Sequence, residues 1–64
     1  MAIEEYDKIK LRTGETARVV EILESGVMYI AEVFKEDGIS VEHISQKDIV
    51  SVFKEIEYPV AQIA

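Results

Sequence analysis

The chain contains no cysteine, no tryptophan, one proline and one histidine. Without cysteine, neither a disulfide nor a thiolate metal site can brace the fold. His43 alone would need carboxylates or water to complete an ordinary zinc site, so no metal or cofactor is expected. Basic residues are scarce, with seven Lys and Arg against thirteen Asp and Glu and a formal net charge of -6. Proteins that hold a phosphate backbone do so by releasing counterions at Lys and Arg contacts, so nucleic acid is not the expected partner. The same charge suits solubility or a basic protein partner. No apolar run approaches the ~18 residues of a membrane helix, so no membrane role is expected. Met1–Glu5 is acidic, the reverse of a secretory start, and the expected location is the cytoplasm.

What is present must make up for these absences. The 64 residues form one domain, and a chain this short buries only about 60% of the surface that its unfolded form exposes. Stability then rests on a compact apolar core, or on one shared between subunits. The hydrophobic fraction of 48% is enough to supply it.

Taken in order, residues 1–5 read as a short, loosely held lead-in. In Tyr6–Leu11, Ile9 and Leu11 alternate with Lys8 and Lys10, the period-two pattern of a half-buried strand. Arg12–Glu15 is a turn around Gly14. Thr16–Glu24 admits two readings. Val19, Val20, Ile22 and Leu23 fit one face of a helix, capped by Thr13 and ended by Gly26. Its β-branched residues argue instead for a strand, with a β-bulge where alternation breaks at Val19-Val20. Ser25-Gly26 is a tight turn. Val27–Phe34 is a strand with Val27, Tyr29, Ala31 and Val33 on one face. Lys35–Gly38 is a hairpin loop carrying the Asp-Gly signal. Ile39, Val41 and His43 then alternate with Ser40 and Glu42. Ser45–Asp48 reads either as a capping box that starts a helix or as a 3₁₀ turn before a strand at 49–54. Pro59 excludes a central strand in the tail, whose apolar residues Ile56, Tyr58, Val60 and Ile63 suit packing on the barrel or on a neighbouring subunit.

The stretch G-E-T-A-R-V-V-E-I-L-E-S-G-V at Gly14–Val27 resembles the loop-plus-strand opening of KOW-type and related SH3-like barrels, with Ala17 as the small residue after the glycine turn. Over roughly residues 6–54 the fuller pattern is similar to a group of short, uncharacterised bacterial proteins made of one such barrel. The resemblance implies an all-β fold. It would be a small five-stranded antiparallel SH3-like barrel with a short 3₁₀ turn, near Gln46–Asp48, before the last strand. KOW domains are associated with RNA or transcription machinery through basic and aromatic residues near these loops. Here Glu15, Glu24, Glu36 and Asp37 occupy the loops.

Catalysis needs convergent groups, and the sequence offers none. Ser40 points away from His43 on a strand, and no aspartate is spaced to complete a triad with Ser45. There is no phosphate-loop motif and no calcium-loop spacing around Glu36-Asp37. No enzyme and no small-molecule substrate are expected. The candidate binding residues are Tyr29 and Phe34 as aromatics near loops, Glu36 and Asp37 in the hairpin loop, and the cations Lys8, Lys10, Arg12 and Arg18. The expected function is a non-catalytic protein-interaction module whose partner is another protein or a second copy of itself. The alternatives are an RNA-binding KOW-like module and an acidic immunity or inhibitor protein that occupies a basic site.

Overall fold

The computed structural model describes residues 2–54, so the tail at 55–64 lies outside them. The order is β1 Lys8–Leu11, β2 Thr16–Glu24, β3 Met28–Lys35, β4 Gly38–Ser45, a 3₁₀ turn Gln46–Asp48 and β5 Ile49–Phe53. The five strands form one antiparallel sheet in the order β4-β3-β2-β1-β5. The sheet is open: among the described residues β4 and β5 each pair on one side only.

Thr16–Glu24 is a strand, as its branched residues favour, and it serves both neighbours. Its register against β3 steps from Val19↔Ala31 to Glu21↔Ile30, which makes Val20 the extra residue of a bulge. A second step, from Ile22↔Tyr29 to Glu24↔Met28, makes Leu23 another. Each bulge bends the strand and re-phases its faces. Val19 is therefore buried, while Ile22, three residues on, returns to the core and Leu23 is left exposed. In β5 the step from Lys10↔Ser51 to Leu11↔Ile49 leaves Val50 as the extra, exposed residue.

The turns follow from local chemistry. Gly14 (φ 96°) donates to the Leu11 carbonyl at 2.8 Å, and Gly26 (φ 79°) allows Val27 to bond back to Glu24 at 2.9 Å; both φ values favour a residue without a Cβ. Val27 lies in this turn and is exposed, so it does not continue the Tyr29 face that the alternation suggests. At the next hairpin the two loop residues are Glu36 and Asp37, and Gly38 already pairs with Lys35. The capping-box helix does not form. Gln46–Asp48 is a single 3₁₀ turn without a side-chain cap, and Ile49–Phe53 is extended.

The core is one cluster of Ile3, Ile9, Leu11, Ala17, Val19, Tyr29, Ala31, Val33, Ile44 and Ile49. Tyr29 is the largest of its fully buried side chains. Ile3 belongs to it, although the lead-in reads as loosely held. The chain is tied there by Tyr6 donating to the Val19 carbonyl at 2.7 Å and Val19 donating to the Asp7 carbonyl at 2.9 Å. Tyr6 takes φ 70°, the only positive φ outside glycine among the described residues, just before β1.

Candidate interaction surface

Register alone fixes which side chains share the outer face of the sheet. Directly opposed residues project to the same side, so each row crosses all five strands. One outer row runs Phe53, Lys8, Arg18, Glu32, Val41. The next runs Ser51, Lys10, Thr16, Phe34, Ile39. Between them lies an inner row, Val52, Ile9, Ala17, Val33, Ser40, which holds three core residues. The outer face is thus cationic over β1–β2 and apolar over the β3–β4 hairpin, where Phe34, Ile39 and Val41 are exposed to 36%, 61% and 65%.

Phe34 stands on this face between Thr16 and Ile39, next to the turn that presents Glu36 and Asp37 to solvent. Tyr29 does not. It is 1% exposed, its ring sits in the core, and its hydroxyl accepts from the Gly26 N–H at 2.9 Å and donates to Gln46 Oε1. Its alternation with Ala31 and Val33 turns it inward, so it pins the β2–β3 turn to the 3₁₀ turn and is not a surface anchor. Lys8 is brought opposite Arg18, while Lys10 lies opposite Thr16 in the next row. Arg18 also faces Glu32 across β2–β3, while Glu21, past the bulge at Val20, lies opposite Ile30. Arg12 leaves this group. Beyond the end of β1, its backbone N–H bonds to the Asp48 carbonyl at 2.8 Å, its guanidinium donates to the Lys47 carbonyl, and its Nε lies 3.7 Å from Asp48 Oδ1. His43 is exposed on the outer face opposite Ile30, on the side of β4 away from Ser40.

Two ion clusters were not legible in the sequence. Asp7 is nearly buried, accepts from the Glu4 N–H at 2.8 Å and pairs with Lys54, which also reaches Glu4 Oε1 at 3.3 Å. Burial by itself would push the Asp7 carboxyl up. The Lys54 hydrogen bond, the Glu4 N–H and the Lys54 charge together outweigh it and hold the carboxyl below its usual range. The second cluster lies on the other side of the sheet from Phe34. There Lys35 bonds Glu15 at 2.8 Å and Glu42 at 3.3 Å, and the Glu15 contact raises the ammonium above its ordinary value. Lys54 lies 50 and 47 positions from Glu4 and Asp7, and Lys35 lies 20 from Glu15, so only a rule for long-range pairing would have found these contacts.

Among the described residues, no group of three or more His, Cys, Asp or Glu is placed to hold a metal ion, and no helix is long and apolar enough to cross a membrane. A shallow depression beside the β3–β4 turn is lined by Lys35, Asp37, Gly38, Ile39 and Ser40, and it borders the apolar strip. No protein-family model matches the chain, and no curated protein or solved structure matches it either.

Proposed function

We propose that the chain is a cytoplasmic, non-catalytic protein-interaction module, an SH3-like barrel whose contact surface is the outer face of the β3–β4 hairpin. The observation that carries this reading is the exposed strip of Phe34, Ile39 and Val41. Single exposed hydrophobic residues are ordinary, but three neighbours on one hairpin read as a contact site. Glu32, Glu36 and Asp37 give the strip an acidic rim, and apolar centres with polar rims are the usual anatomy of protein interfaces. The strand order and the bulges that bend β2 support the SH3-like barrel.

The test compares the wild-type chain with an Ile39→Asp variant, by light scattering across concentration and by retention of proteins from cell extract. The reading expects self-association or a retained partner that the variant loses. A wild-type chain that stays monomeric and retains nothing that the variant does not would end it.

One observation favours a second reading. Lys8 faces Arg18 across β1–β2, and two neighbouring cations on one face suit an RNA backbone. That reading expects RNA affinity that falls steeply with salt, and undetectable binding at low salt removes it.

A further inference from the structure

The far edge of β4 points to a specific occupant. Gln46 N–H donates to the Val27 carbonyl at 2.9 Å, which makes 27/46 a bonded position of the β3–β4 ladder. Bonded and non-bonded pairs alternate in an antiparallel ladder. The bonded pairs are therefore Tyr29/Ile44, Ala31/Glu42, Val33/Ser40 and Lys35/Gly38. The N–H and C=O groups of Ile39, Val41 and His43 must then point away from β3, and among the described residues no strand meets them.

Sheet edges are usually protected by lysine, proline, a bulge or shortness. β5 has such devices: five residues, a bulge at Val50, and Lys54 immediately after. β4 has none. Its eight residues, G-I-S-V-E-H-I-S, include no Lys, Arg or Pro, and its register with β3 runs through eight consecutive pairs without a shift. Its one acid, Glu42, shares Lys35 with Glu15 and lies on the opposite face from Val41.

We infer that β4 pairs antiparallel with β4 of a second copy of this chain, about a two-fold axis at Val41. This rests on the interaction-module reading and names its partner. The strand is self-complementary in that one register. Val41 opposes Val41 of the copy, Ile39 opposes His43, and Ser40 opposes Glu42, so no like charges face each other directly. The outward groups of residues 39, 41 and 43 all fall in bonded pairs. A slip of one residue on each strand sets Glu42 against Glu42, which is destabilising. The opposite slip leaves His43 unpaired and shortens the ladder. Strand addition of this kind takes its affinity from main-chain bonds and its specificity from alternate side chains. An edge-to-edge contact is smaller than the about 1,200–2,000 Å² of a standard interface, so the dimer forms and dissociates with concentration.

The test is sedimentation equilibrium of the full chain over a wide concentration range, with amide hydrogen exchange measured at both ends of it. Val41→Pro removes one outward N–H and no bond to β3, so the fold tolerates it at an edge. Val41→Lys keeps the N–H and adds a charge on the axis, which covers the case of a proline variant that fails to fold. The proposal expects a mass rising from 7.3 kDa toward twice that, exchange at Ile39, Val41 and His43 that slows as concentration rises, and at least tenfold weaker association in a folded variant. A monomer in which these amides exchange freely overturns it. So does a monomer in which they are protected at every concentration, since a segment of the same chain would then cover the edge. A dimer unchanged in both variants overturns the β4 site but leaves the interaction-module reading standing. A monomer that still retains a protein through Ile39 likewise ends self-pairing alone.

Discussion

Tyr29→Phe tests the pinning role of this hydroxyl, because it removes one oxygen and leaves the ring in place. That oxygen accepts from the Gly26 N–H and donates to Gln46 Oε1. An ordinary intramolecular hydrogen bond contributes about 0.5–1.5 kcal/mol net, and a partner left unsatisfied in a buried site costs about 1–3 kcal/mol. Both partners here are only part-buried, so water replaces some of what is lost, and the expected cost is about 1–1.5 kcal/mol. For a chain of 64 residues, total stability at the usual density is roughly 3–10 kcal/mol, so the loss is a sizeable share. It corresponds to a fall in melting temperature of about 4–12 °C for a domain of this size. Thermal and urea denaturation followed by circular dichroism measure it. The urea midpoint should fall while the slope stays unchanged, because the ring still fills its place. A change under about 0.3 kcal/mol would refute the pinning role of the hydroxyl and the argument that ties the β2–β3 turn to the 3₁₀ turn.

Asp7→Asn should cost about 1 kcal/mol at pH 7, since the amide keeps an acceptor for the Glu4 N–H but loses the charge that faces half-exposed Lys54. The folded-state Asp7 carboxyl lies below its ordinary 3.8. Its contribution is therefore fully present above about pH 4 and is lost as pH falls through the depressed value. Urea titrations from pH 7 to pH 3 should show the wild-type advantage shrinking at the acid end; a constant gap would contradict the assignment. Ile3→Ala should cost about 2 kcal/mol, the low end for a buried aliphatic residue because Ile3 lies outside the strands. An effect under about 0.5 kcal/mol by urea denaturation would mean that residues 2–7 are not docked on the core.

Much of the ladder was legible because strand formation is local chemistry. Branched residues in 16–24, the Ser25-Gly26 break and the alternation of Ile9 and Leu11 with lysines each specify backbone conformation within a few residues. The bulge at Val20 was visible as a fault in that alternation. Period two states which residues share a face, though, and not which face looks inward. Ile39 and Val41 read as an apolar face and stand in solvent, because Ile44 and its partner Tyr29 turn the other side of β4 to the core. Ile3 was missed for a related reason: a single apolar residue among acids has no period, and its burial depends on the chain being carried back to Val19. The Asp7–Lys54 pair spans 47 positions and left no local trace. Of the cations, the alternation placed Lys8 and Lys10 together, but Arg12 went to the 3₁₀ turn because its backbone N–H is bonded to Asp48.

The most direct measurement of the self-pairing claim, that a second copy of this chain docks along the edge of the β3–β4 hairpin, is a concentration series of amide resonances by NMR. The account predicts shifts that grow with concentration and centre on Phe34, Ile39, Val41 and His43, while the β1–β5 edge stays still. Spectra that do not change with concentration, or changes centred on Leu23, Val27 or β5, would contradict it.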